Sequence, residues 1–127
     1  MIQQSDAIDM VCTPKRVPGD RPIDLRHLSR MTLGDQVLER EVLRLFERQA
    51  VMLIERMDQE QPSLVAAAAH TLKGSATGIG AWSVARAASA VETAAMSGDK
   101  SAVAGGLTGL TAAVRDARSD IAAILRR

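Results

Sequence analysis

Tyrosine is absent from this 127-residue sequence, and the only aromatic side chains are Phe46 and Trp82. Nucleic-acid binding by base stacking therefore lacks its platforms. The 16 basic and 15 acidic residues leave a formal charge of +1 and are scattered along the chain, so no basic stripe argues for nucleic acid either. A single cysteine, Cys12, excludes an internal disulfide. Only two histidines, His27 and His70, join that cysteine, and the three lie far apart, which leaves a zinc site short of ligands. No apolar run approaches the roughly 20 residues of a membrane-spanning helix. The N-terminus also lacks the basic flank and long apolar stretch of a secretory signal. From these absences we expect a soluble cytoplasmic protein with no nucleic-acid and no membrane partner.

Alanine, leucine, valine and isoleucine dominate what is present, so the core must be built from aliphatic helix formers. That favours an all-α protein, and the length suits one domain. Residues 1–21 carry Pro14, Pro18 and Gly19 and show no sustained period, which reads as a flexible tail or a loosely docked arm, with Ile8, Met10 and Val11 as a short apolar set able to pack. Pro22 suits the start of a short helix to about Met31, closed by Gly34. Asp35 caps a long helix to about Asp58, with Leu38, Val42, Leu45, Phe46, Leu53 and Met57 as its apolar stripe. Pro62 opens a helix to about Thr77. Another runs from Ala81 or Trp82 to Ser97–Gly98. The last is capped by Asp99 or Ser101, with Val103, Leu107, Leu110, Val114, Ala117, Ile121 and Leu125 facing inward. Gly105, Gly106 and Gly109 weaken its start, so its first turns are expected to begin late or fray. Long amphipathic helices joined by short connections predict an antiparallel up-down four-helix bundle with an additional short N-terminal helix, the domain spanning 22–127.

The stretch "AAAAHTLKGSATGIGA", residues 66–81, holds the chemistry. At about 100° per residue, Leu64, Val65, Ala68, Ala69, Leu72 and Ala76 form one apolar arc, between about 120° and 260° from His70. Within about 60° of His70 lie Ser63, Ala66, Ala67, Lys73, Gly74 and Thr77. His70 therefore points to solvent among small residues, not the long charged ones of an ordinary solvated face. Gly74 costs roughly 1 kcal/mol against Ala inside a helix, which calls for a compensating reason such as close approach by another molecule. Lys73, at i+3, is a flexible point charge for an anion on the ring. Thr77, and less directly Ser75, supply hydroxyl donors. An exposed imidazole is mostly neutral at pH 7 and keeps a nucleophilic lone pair. The face around His70 carries no carboxylate, which argues against a metal site and against hydrolase chemistry needing an orienting acid. His27 has no such surroundings and reads as a surface or packing residue.

The glycines at 74, 78 and 80 invite a second reading, because T-G-I-G with an upstream glycine resembles the cofactor turn of short-chain dehydrogenases. Such a turn must follow a buried strand within a βαβ unit. The preceding residues have a 3.6-residue period instead, and the chain is too short for the rest of that fold. Gly78 and Gly80 read better as punctuation, one ending the histidine helix and the other permitting the turn, with Ile79 plugging the core beneath.

His70-Thr71-Leu72-Lys73-Gly74-Ser75-Ala76, followed by Ile79-Gly80-Ala81, resembles the signature of histidine-containing phosphotransfer (HPt) domains. "TLGDQVLEREVLRLFERQ" and "VETAAMSGDKSAV" resemble that family's neighbouring helices, and the resemblance spans about 22–125. It implies that His70 is the phosphoacceptor, Lys73 the phosphate-stabilising cation and Gly74 the residue that admits a receiver domain. Ser63, Ala66, Ala67, Ser75 and Thr77 would be phosphate or docking contacts. Gly78 departs from the family, in which many members have Asn. The implied function is a relay between response-regulator receivers, fed by a hybrid sensor histidine kinase. The chain would act as a monomer, with no cofactor of its own and Mg2+ on the partner receiver. No Walker motif or Gly-rich ATP lid is present, so autonomous ATP-dependent phosphorylation is not expected. Two alternatives stand beside this: a structural helical adaptor, and the dimerisation and phosphotransfer domain of a sensor kinase. The latter usually carries a proline soon after its histidine and acidic residues beside it, and the local sequence has neither.

Overall fold

The computed structural model describes residues 21–58 and 61–127. The tail expectation falls on residues 1–20, outside the described residues; Arg21, the last residue assigned to it, pairs with Asp120. Five helices follow: α1 (Leu25–Met31), α2 (Gln36–Met57), α3 (Pro62–Ile79), α4 (Trp82–Met96) and α5 (Lys100–Leu125). Among the described residues there is no strand. α2 packs on α3, α3 on α4 and α4 on α5, and α5 returns to α2, which closes a four-helix bundle with α1 laid against α3.

The caps explain where the helices start. Asp24, Asp35 and Asp99 each accept a hydrogen bond from the backbone N–H three residues on, at 3.1, 3.1 and 3.0 Å. α3 has no side-chain cap but begins with Pro62, whose missing N–H is no loss at that position. Gly80 ends α3 in the left-handed conformation at φ 79°, and Gly98 turns the chain into α5 at φ 74°. The final helix is continuous from Lys100 through all three glycines, against the expectation of a late start. Gly106 shows one reason: a Cβ there would lie 3.2 Å from the Val91 side chain, so the absent methyl lets α5 approach α4.

The core comprises Leu43, Phe46, Ala50, Leu53 and Met57 of α2, Val65, Ala68, Ala69, Leu72, Ala76 and Ile79 of α3, Val84, Ala88, Val91 and Ala95 of α4, and Leu110, Val114, Ala117, Ile121 and Ile124 of α5, joined by Ile23, Leu28 of α1 and Ala81. Three residues expected inside are not. Leu38, Leu45 and Leu64 are 44%, 53% and 51% exposed. In α2 the buried line steps 43-46-50-53-57; Phe46, Leu53 and Met57 of the expected stripe lie on it, while Leu38 and Leu45 belong to a second apolar line that stays exposed. Alanines make up a large share of the buried residues of α3 and α4 (Ala68, Ala69, Ala76, Ala88, Ala95), and small side chains permit close helix packing.

Candidate functional site

α3 presents His70 with its side chain 67% exposed, while Ala69 and Leu72 beside it are buried. The expected division of this helix into core and outer faces therefore holds except at Leu64. Lys73 follows one turn on, 35% exposed. A Cβ built on Gly74 meets nothing within 4 Å, so the surface beside the imidazole is open. Ser63, Ala67 and Thr77 are exposed and Ala66 is half-buried. The two hydroxyls expected to serve the site are otherwise engaged. Ser75 turns toward α2 and donates to Gln49 Oε1 at 2.8 Å, and Thr77 donates to the Lys73 carbonyl at 2.8 Å.

The local sequence around His70 has no carboxylate, but the folded site does. Glu92 of α4 places Oε2 2.9 Å from His70 Nδ1 and Oε1 3.2 Å from Lys73 Nζ. This corrects the expectation of a site without an acid. The residue lies 22 positions along the chain and is brought in by the α3–α4 pairing, so no spacing rule within α3 reveals it. The Glu92 side chain is mostly covered, at 19% exposure. The Lys73 ammonium holds the Glu92 carboxyl below its usual range; burial opposes this, and the imidazole adds to the lowering. A carboxylate can only accept, so a neutral His70 must donate through Nδ1–H, which leaves Nε2 with the free lone pair. Among the described residues no group of three His, Cys, Asp or Glu side chains lies together.

A junction behind the site fixes the end of the histidine helix. The backbone N–H of Asp24 donates to the Gly80 carbonyl at 3.0 Å, and Trp82 Nε1 donates to Asp24 Oδ2 at 2.9 Å. His27 packs its ring edge against Trp82, centroids 4.8 Å apart, and its Nε2 is buried without a hydrogen-bond partner among the described residues. His27 is therefore a packing residue. The cramped approach of Asp24 explains Gly80, since a Cβ there would lie 2.9 Å from Asp24 Cβ and 3.0 Å from its carbonyl oxygen. Gly80 alone ends the helix and makes the turn; Gly78, expected to share that work, lies inside α3 with open space around it. Ile79 is buried, as the sequence suggests.

An exposed histidine on one helix of a closed bundle, with a lysine one turn on, is the arrangement that the resemblance to histidine phosphotransfer domains leads one to expect. The chain matches the family model of the Hpt domain over residues 41–123, and it belongs to that family. It is similar to histidine phosphotransferase ShpA from Caulobacter crescentus at 30% identity and a TM-score of 0.63, the match covering 83% of this chain and 91% of that one. A rice protein described as histidine-containing phosphotransfer shares the fold, with a TM-score of 0.72 at 19% identity, over 83% of this chain and 80% of that one. No curated protein matches the chain significantly. Among the described residues no helix is long and apolar enough to cross a membrane.

Proposed function

We propose that this chain is the intermediate of a phosphorelay, in which His70 takes a phosphoryl group from the aspartyl phosphate of one receiver domain and passes it to another. The observation that carries this reading is the exposed His70 beside Lys73, with open space over Gly74. Phosphoryl transfer demands in-line approach and neutralisation of spreading charge more than covalent machinery. His70 would supply the nucleophile, Lys73 the charge and Gly74 the room, while the receiver brings the aspartate and Mg2+. A hybrid sensor kinase would stand upstream, and the chain would work as a monomer in the cytoplasm.

The surface beside the histidine suits such a partner. A groove between α2 and α3 is lined by Leu53, Arg56, Leu64, Ala67, Ala68 and Thr71, the last adjacent to His70. Met52 and Leu64 leave apolar surface beside it, and an exposed patch of this sort marks an interaction site. Four helices packed in a closed circuit within one chain also favour a relay domain over the kinase dimerisation domain, which pairs helices between two chains.

The test is passage of label through the chain. A receiver carrying a labelled aspartyl phosphate, with Mg2+, should charge this protein, and a second unlabelled receiver should then discharge it. ATP alone should leave it unlabelled. A protein that takes no label from any receiver would leave the adaptor reading in its place, and labelling by ATP alone would favour the kinase reading.

A further inference from the structure

We infer that the outer face of α2 is a self-complementary surface, on which a second copy of this chain lays its own α2 antiparallel across a two-fold axis. Val37, Leu38, Leu45, Val51 and Met52 are all exposed, and at about 100° per residue they fall in one arc of about 140° opposite the buried line of the helix. Nothing among the described residues covers them. Leu38, Leu45 and Met52 recur every seven residues, the step that keeps a line of contacts facing a second helix. Glu41 and Arg48, both exposed, stand in the middle of the same arc.

Charge selects the occupant and its direction. With the axis at the level of Leu45, antiparallel copies set Leu45 against itself, Leu38 against Met52 of the other copy and Val37 against Val51. The same register brings Glu41 to Arg48 of the other copy, twice over by symmetry. A parallel pairing would set Glu41 against Glu41 and Arg48 against Arg48 instead. Arg48 has no carboxylate partner among the described residues. Glu41 pairs with Arg44 of its own chain at 3.3 Å, an exposed contact that lets it bridge both cations. Arg44 approaches its own copy near the axis, and the two Glu41 carboxylates offset that repulsion. A helix of 22 residues is about 33 Å long, so a strip about 10 Å wide along it buries roughly 700 Å2 over both copies, short of the roughly 1,200–2,000 Å2 of a stable complex. The pair is therefore weak, and the single chain remains the form that meets a receiver. Met52 lies beside the α2–α3 groove, so pairing covers the edge of the surface proposed for the receiver, and the two exclude each other. That consequence rests on the relay reading; the pairing itself does not.

Sedimentation equilibrium of the full-length protein tests the pairing over roughly 10 μM to 1 mM, the range of a weak complex. The weight-average mass should rise from that of one chain toward that of two. Leu45→Glu should hold it at one chain throughout. Glu41→Arg and Arg48→Glu should each weaken association about tenfold or more, because each sets like charges together. An equimolar mixture of those two variants should associate as the wild type does, since each then offers the other an opposite charge. A wild type that stays one chain at every concentration, pairing untouched by Leu45→Glu, or a mixture no better than either variant alone would overturn the inference. Charging of His70 by a phosphorylated receiver should slow per molecule as the wild type is concentrated and not as Leu45→Glu is, and equal behaviour of the two would overturn the exclusion of the receiver by the pair. Failure of every receiver to charge a protein that pairs in this way would instead count against the relay reading and leave the α2 contact standing.

Discussion

Lys73 and Gly74 do different work beside the same histidine, and their substitutions should separate. Lys73→Ala removes a partly exposed ammonium that pairs with Glu92, so stability should change by less than about 0.5–1 kcal/mol, as for a surface ion pair. The receiver-dependent transfer rate should nonetheless fall about tenfold or more, the worth of a charged hydrogen bond in the transition state. Gly74→Gln places a long side chain where no atom now lies within 4 Å of the Cβ position. It should leave the bundle intact, or gain about 0.5–1 kcal/mol from helix propensity, while obstructing the receiver. Unchanged transfer in both variants, followed by stopped-reaction labelling, would remove their assigned roles. His70, Lys73 and Gly74 were legible in the sequence because all three lie on one helix face, where a 3.6-residue period dictates who neighbours whom. Glu92 was not, because its place depends on how two helices pair, and a wheel drawn for one of them cannot show the other.

The helices themselves show which glycines are structural. Gly80 sits at φ 79° with Asp24 backbone and Cβ atoms 3.0 and 2.9 Å from where a methyl would be. Gly80→Ala should destabilise the bundle by roughly 1–3 kcal/mol, from left-handed strain together with loss of the α1 contact. Gly109 has helical backbone and open space, so Gly109→Ala should stabilise by about 0.5–1 kcal/mol. Denaturant unfolding of the two variants checks both signs, and a neutral Gly80→Ala would refute the account of the turn. The starts of α2, α3 and α5 were readable because Asp35 and Asp99 cap two of them and Pro62 opens the third, whereas α1 begins at Leu25 behind an Asp24 cap and not at Pro22, and α3 runs past Thr77 to Ile79. The facing of α2 was readable only in part, at Phe46, Leu53 and Met57. Its sequence holds Leu43, Phe46, Ala50, Leu53 and Met57 on one side and Leu38, Leu45 and Met52 on another, and only the neighbouring helices decide which line is covered. Of that exposed line, Met52 lies beside the groove that a partner is proposed to meet.

At the scale of the molecule, α1 is fastened to the end of the histidine helix through Asp24, and this gives the fold an acid-sensitive joint. The indole N–H of Trp82 first, then the backbone N–H of His27, hold the Asp24 carboxyl below its usual range. A carboxyl more acidic in the folded than in the unfolded chain contributes stability above its unfolded value and loses it as pH falls through the folded one. The junction should therefore weaken below about pH 4, the ordinary range of aspartate. Trp82 is the only tryptophan and its ring lies in the junction, so its fluorescence should follow the change, and Asp24→Asn should flatten the profile in that range. The bundle is a scaffold that keeps one imidazole outside its core with a lysine and a glutamate fixed beside it. The most direct test of that account is labelling by a phosphorylated receiver in the presence of Mg2+. The wild-type protein should acquire an acid-labile, base-stable phosphoryl group and His70→Gln none, whereas a His70→Gln protein labelled as fully as the wild type would contradict it.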